Sequence, residues 1–249
     1  MRPRIAIPVP HSGDKEYAER ALPQYEHAVA SAGGEPLRIP VDRPPAEVMK
    51  LIERCDAVLL PGSKADVDPA KYDSARHPKT AAADSGRDTV DELLLQDAYN
   101  MRKPVLAICY GLQALNVYRT GTLIQHVESR INHEAGRKVA VAHEVKIEAE
   151  SKLAEILSSA HSSLVLPVNS SHHQSADVVG DGLRVVARSA EDNIVEALEG
   201  TSPDHFVLAV QWHPERSVDE DEASRAIFRA FVNAGEARHK ELEGEFESV

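Results

Sequence analysis

The stretch Pro104-Val-Leu-Ala-Ile-Cys-Tyr-Gly-Leu-Gln-Ala-Leu-Asn116 decides the fold. Val105, Leu106, Ala107 and Ile108 form an unbroken apolar run, the pattern of a strand covered by helices on both faces. From Tyr110 to Val117, Leu112, Leu115 and Asn116 recur at helical spacing, which places Cys109 at the N-terminus of the following helix. Unpaired N–H groups and the helix dipole favour negative charge there, and thiols so placed can have a pKa lowered from about 8.5 into roughly 3.5–7.5. The frame Ala107-x-Cys109-x-Gly111 is a variant of the small-x-nucleophile-x-Gly elbow, where small residues let strand and helix approach across a strained turn. A thiolate nucleophile is one reading of Cys109, and an inert core thiol is the other.

Working outward, strands and helices alternate. Arg4–Val9, Glu35–Ile39 and Asp56–Leu60 read as short strands. Helical patterns from Pro23 to Ala32 and from Pro45 to Arg54 separate them, with Gly33-Gly34 as the first stop. Alternation of this kind implies a parallel sheet, so the expectation is an α/β fold with a mostly parallel central sheet flanked by helices. Pro61-Gly-Ser-Lys-Ala-Asp66 leaves the third strand at its carboxyl end, where open α/β sheets place ligands. Val67–Gly86 is a long polar segment, and loops of that length are usually functional or disordered. Arg87 and Asp88 open a helix with Val90, Leu93, Leu94 and Ala98 as its apolar stripe. With Glu92 they read as caps and ion pairs at its N-terminus.

A cysteine nucleophile needs a base. His213 in Val210-Gln-Trp-His-Pro-Glu215 follows the apolar run Phe206–Val210, so it ends another buried strand. Pro214 biases His213 towards extended backbone, where residues two apart point the same way, so Glu215 is placed to orient the imidazole. Leu183–Ala187 and Ile194–Leu198 around Glu191-Asp-Asn193 read as a smaller antiparallel hairpin region expected beside that strand. Gly121–Gln125, Val139–Ile147 and Leu164–Val168 read as further strands, with a helix from Ser151. Another helix carries Ala226, Ile227, Ala230 and Phe231 inward, and Arg238–Val249 is a charged tail expected to fray.

The chain's 249 residues suit a single domain spanning 1–249, and the net charge of −12 argues against nucleic acid or an anionic membrane as partner. Two cysteines make no disulfide framework, and no long apolar run marks a membrane span or leader, so a reducing cytoplasm is expected. His126, His133 and His143 with Glu134 and Glu144 invite a metal reading. Their spacing matches no tight ligand motif, so they read as solvated surface, with no metal and no cofactor expected.

Leu59-Leu-Pro-Gly-Ser63, Asp66-Val-Asp-Pro-Ala-Lys-Tyr72, Arg87-Asp88 with Glu92, Cys109-Tyr-Gly-Leu-Gln113, Gly121-Thr-Leu-Ile-Gln125, Val168-Asn-Ser-Ser-His-His-Gln174 and Gln211-Trp-His-Pro-Glu215 occur in one order. In that order the chain resembles the class I glutamine amidotransferase superfamily, and within it the free-standing γ-glutamyl hydrolases of peptidase family C26. The resemblance implies a three-layer, flavodoxin-like arrangement. It implies Cys109 as nucleophile, His213 as base and Glu215 as third member. Amides of Gly62 or Ser63 and of Tyr110 would hold the oxyanion, and Gln113, Ser171 and His172 would contact a small γ-glutamyl substrate. Cleavage of a γ-glutamylated amine is the implied reaction. A glutaminase subunit feeding a separate synthase and a non-catalytic binding member are the rivals, and a homodimer is the default assembly. Tyr118-Arg-Thr-Gly121 departs from the family's glycine pair, which puts the nearby pocket wall in question.

Overall fold

Side chains on a strand alternate between faces, so a strand apolar at every position needs cover on both sides. The computed structural model describes residues 2–247, with side chains through 241. Its strands are β1 (Arg4–Pro8), β2 (Glu35–Ile39), β3 (Ala57–Leu60), β4 (Val105–Ile108), β5 (Leu123–Ile124), β6 (His143–Ile147), β7 (Val165–Val168), β8 (Ser175–Ala176), β9 (Leu183–Ser189), β10 (Val195–Gly200) and β11 (Val207–Val210). Its helices are α1 (Lys15–Ser31), α2 (Pro45–Ile52), α3 (Ser85–Met101), α4 (Tyr110–Tyr118), α5 (Lys152–Leu157) and α6 (Glu222–Glu247).

One nine-stranded sheet runs β2-β1-β3-β4-β11-β10-β9-β6-β7. From β2 to β11 the neighbours are parallel, in the flavodoxin-like order; from β11 to β7 they are antiparallel and continue the same sheet. Ile5, Ile7, Leu59, Leu106, Ile108, Leu208 and Val210 face one core with α1 and with Ile227, Phe228 and Phe231 of α6. Their alternates Ala6, Val58, Leu60, Val105, Ala107, Val207 and Ala209 face the other core with α2, α3 and α4. β4 and β11 are therefore central, and Cys109 and His213 follow their carboxyl ends. Among the described residues β5 pairs with β8 alone, in a separate two-stranded ribbon.

Three boundaries differ from the sequence reading. Helix α1 begins at Lys15, capped by Asp14, whose side chain accepts from Tyr17 N; Pro23 lies inside it. β6 begins at His143, because Val139 and Val141 are exposed where β7 has ended. α6 continues through the charged segment expected to fray. Arg238 Nε donates to the Met101 carbonyl (3.1 Å) at the end of α3 and His239 Nδ1 lies 2.9 Å from Asp56, just before β3, which ties the start of this stretch to the domain. Residues 248–249 lie outside the described part. Among the described residues, no helix is long and apolar enough to cross a membrane.

Candidate active site

The chain leaves β4 and turns into α4 within one residue. Cys109 adopts φ 53° and ψ −106°, a left-handed conformation that L-residues rarely take and that concentrates at functional sites. Gly111 permits the turn: a Cβ there would stand 2.3 Å from the Leu60 carbonyl oxygen of β3. The Cys109 amide donates to the Val210 carbonyl (2.8 Å), so the elbow is fastened to the strand that carries the histidine.

After β11, Asn169 grips the His213 backbone from both sides. The His213 amide donates to Asn169 Oδ1 and Asn169 Nδ2 donates to the His213 carbonyl, each at 2.9 Å. His213 Nδ1 lies 2.7 Å from Glu215 Oε1, and Pro214 and Glu215 form a short 3-10 turn. With the proton of Nδ1 on the carboxylate side, Nε2 carries the lone pair that a base requires. The point where Gly62 would carry a Cβ is 3.0 Å from His213 Cε1 and 3.7 Å from Cys109 Cβ, so imidazole and thiol converge on the Pro61-Gly-Ser loop. Any side chain at Gly62 would occupy that meeting point.

The electrostatics run against one expectation. Burial pushes the Cys109 thiol up to about 12; Arg216 pulls it down, Glu215 and Glu196 push it further up, and the Tyr110 amide bonded to it lowers it. Desolvation and two carboxylates outweigh the helix terminus. Burial lowers His213, against the opposing pull of Glu215. Burial alone would raise Glu215, but His213 and Arg216 hold it below the ordinary carboxylate range. Burial thus favours the uncharged form of both the thiol and the imidazole.

The remaining predicted residues sit around this centre in different ways. The Gly62 amide already donates to Tyr25 Oη (3.0 Å), whereas Ser63 Oγ accepts from the Ala65 amide (3.1 Å). Tyr110 turns its ring towards Arg87, 5.1 Å from the guanidinium, and donates its hydroxyl to Asp88. Gln113 is buried, its Nε2 donating to the Gln174 carbonyl (3.1 Å) and to Gln211 Oε1 (3.3 Å). Ser171 Oγ accepts from Arg216 (2.8 Å), and the same guanidinium lies 3.6 Å from Glu215. His172 is turned inward: Nδ1 meets the Gln174 carbonyl (2.9 Å) and Nε2 stands 3.4 Å from Glu196. His133 and His143, expected on the solvated surface, are 3% and 5% exposed and face the same carboxylate. Their burial is a tertiary effect, created where the 125–142 connection folds over β10.

Arg87 is more than a cap. The cap of α3 is Asp84, and Arg87 is fully buried, pairs with Asp91 at 2.7 Å, and donates to the carbonyls of Pro10 (3.1 Å) and Pro61 (2.8 Å). It ties the ends of β1 and β3 to the elbow. The long 67–86 segment is pinned by Gln125, whose Oε1 accepts from the His77 amide and Thr80 hydroxyl at 2.8 Å, and by Asp66, whose Oδ2 accepts from the Ala81 amide (2.6 Å) and meets His173 at 3.0 Å. The Tyr118–Gly121 departure packs on Asn116 and Gly180 rather than on the elbow. Arg216, Asn169 and Tyr25 were missed as site residues. Arg216 and Asn169 flank or lie within quoted motifs, but Tyr25 gave only a helical-stripe signal. A groove of about 1140 Å³ beside Ser151, Arg184 and Glu199 contains none of the residues discussed for catalysis.

The peptidase C26 family model matches residues 7–215. The chain is 34% identical to the gamma-glutamyl-gamma-aminobutyrate hydrolase PuuD of Escherichia coli, over 93% of each chain. It is 38% identical over 84% of its length to a Mycobacterium tuberculosis protein named "putative glutamine amidotransferase", of which the match spans 66%. Among solved structures, a Thermoplasma acidophilum protein named as one subunit of a "putative GMP synthase" matches with a TM-score of 0.64 at 16% identity over 98% of each chain, a likeness of fold alone. With the match running from β1 through the strand end that carries His213 and Glu215, this chain belongs to the peptidase C26 family.

Proposed function

We propose that the protein is a cysteine-dependent hydrolase that cleaves the γ-glutamyl amide bond of a small γ-glutamylated amine. The observation that carries this reading is the strained Cys109 elbow with His213 Cε1 and Cys109 Cβ meeting at Gly62 while Glu215 holds Nδ1. Because burial favours the protonated thiol, attack and proton transfer are coupled: Cys109 Sγ bonds to the γ-carbonyl carbon as His213 Nε2 takes its proton. The Tyr110 amide and the Gly62-Ser63 loop receive the oxyanion. Since the Gly62 amide is engaged by Tyr25, its use requires that the phenol yield, which gives Ser63 the simpler role. His213 then protonates the departing amine, leaving a γ-glutamyl thioester that water hydrolyses.

The name of the E. coli relative supports γ-glutamylated amines as substrates, and that of the M. tuberculosis relative supports glutamine as a second reading. A panel of γ-glutamyl amides that includes glutamine, incubated with wild type and Cys109→Ala, separates them by the amine released. Ammonia from glutamine in excess over every other amine would replace the first reading. Equal turnover by the variant would remove both.

A further inference from the structure

His133 comes from the β5–β6 connection, His143 from the first position of β6 and His172 from the β7–β8 connection. All three turn one ring nitrogen towards Glu196 of β10. His133 Nδ1 and His143 Nε2 lie 3.3 Å from Glu196 Oε1, His172 Nε2 lies 3.4 Å from it, and the four donor atoms fall within 4.8 Å of one another. The four residues are 3%, 5%, 4% and 0% exposed. We propose that they bind one divalent transition-metal ion, zinc by donor set, in a closed structural site.

Three observations carry this. First, the contacts are ion-pair distances without hydrogen-bond geometry: His133 Nδ1, His143 Nε2, His172 Nε2 and both Glu196 oxygens make no hydrogen bond. Five buried polar atoms left without a hydrogen bond in one cluster of four residues are rare in native proteins, and an ion would satisfy them. Second, tetrahedral coordination with bonds of about 2.0–2.1 Å requires donor–donor edges of about 3.3–3.4 Å, which the three nitrogen-to-oxygen separations match. The wider nitrogen pairs would draw in on loading. Third, the other nitrogen of each ring is already held from outside: His133 Nε2 by Asp192 (2.8 Å), His143 Nδ1 by the Glu144 carbonyl (3.3 Å) and His172 Nδ1 by the Gln174 carbonyl (2.9 Å). Such partners fix the tautomer and aim the lone pair inward, the outer-shell arrangement of metal-binding histidines.

Charge gives the same answer. With each outer nitrogen held as a donor, neutral rings would set three lone pairs against a carboxylate, and a single imidazolium would still leave two of them opposed to it, whereas three imidazoliums would bury an excess of positive charge. A dication resolves both. Three imidazoles and one carboxylate suit zinc better than magnesium or calcium, which take mainly oxygen donors, and the closed four-donor set leaves no position for a reacting water. The ion would clamp the 125–142 and 169–174 connections onto β10, whose Glu196 carbonyl accepts from the Gln211 amide (2.8 Å) two residues before His213. The inference stands whether or not γ-glutamyl amides are the substrate.

The test is metal content by mass spectrometry on the full chain, expressed with added zinc and purified without chelator or immobilised metal. Wild type and Cys109→Ala should carry about one zinc per chain, and His143→Ala and Glu196→Gln about a tenth of that or less. Asp192→Asn should bind about 10–100-fold more weakly in competition with a chromophoric chelator. His126→Ala controls for the partly exposed His77, His126 and His173 rings, and should keep its zinc. If the His143 or Glu196 variants fail to fold, cobalt titration of stripped wild type decides: one equivalent should give the absorption of a tetrahedral site. Zinc lost in His126→Ala but kept in His143→Ala would overturn the proposal. So would stripped wild type that takes up neither zinc nor cobalt.

Discussion

Two buried assemblies of imidazole and carboxylate stand side by side in this protein and are built in opposite ways. His213 and Glu215 are neighbours on one short turn, and their 2.7 Å contact has the geometry of a hydrogen bond. His133, His143, His172 and Glu196 come from four segments, and their 3.3–3.4 Å contacts do not. The first separation fits a shared proton, and the second fits a larger cation. The difference also decides legibility: a pair set by strand stereochemistry can be read from residues two apart, while a cluster closed by tertiary folding has no local pattern.

The most severe way to break the comparison is at the sulfur. Cys109→Ala should lower kcat/KM for the released amine by about 10⁴-fold or more while leaving the unfolding midpoint near wild type, because the elbow retains its small residue. Next comes the carboxylate of the local pair. Glu215→Gln should cost about 10³-fold in kcat through misorientation of the imidazole. It also shifts the pH profile. His213 acts as base only when neutral, so activity falls as pH drops through its pKa; burial lowers that value, and the wild-type acid limb of kcat/KM should lie below the ordinary histidine value of about 6.5. Glu215 opposes the lowering, so its removal should move the limb further down. A limb that moved up would show that another group is the base.

Those residues were readable because each depends on local chemistry: a small-residue elbow, a Pro-biased strand end, and a parallel sheet implied by alternating elements. The helix terminus alone argued for a lowered thiol pKa, whereas burial of Cys109 among tertiary neighbours pushes it up, which no local pattern could show. His133 and His143 failed for a related reason. Their spacing excluded a compact motif, and the fourth donor, Glu196, lies on a strand that reads only as half of a hairpin.

Arg87 and Asp91 sharpen the contrast, because they stand one helical turn apart, yet the caps and ion pairs expected there were those of Arg87 with Asp88 and Glu92, and neither this pairing nor its burial was read from the sequence. Replacing Arg87 by Met leaves Asp91 buried and strips the Pro10 and Pro61 carbonyls of a donor. Burial already pushes Asp91 up to about 6 despite Arg87, so protonation would limit the damage. A loss of about 3 kcal/mol in urea unfolding is expected. Lys71→Ala, which breaks the more exposed contacts to Asp88 and Glu92, should cost less than about 1 kcal/mol. Equal losses would mean that Arg87 is no strut.

A similarly small effect compares the two ends of α4. Cys109 at its start has φ 53° and Thr120 beyond its end has φ 71°, so both non-glycine residues carry left-handed backbone. The first strain sits at the proposed nucleophile, whereas Thr120 is exposed beyond the far end of the helix. Thr120→Gly should therefore relieve the second strain alone, raising stability by about 1 kcal/mol, or Tm by about 2–4 °C, with kcat/KM unchanged. If activity fell in step with the gain, the two ends of the helix would be coupled, and the 118–121 turn would belong to the pocket after all.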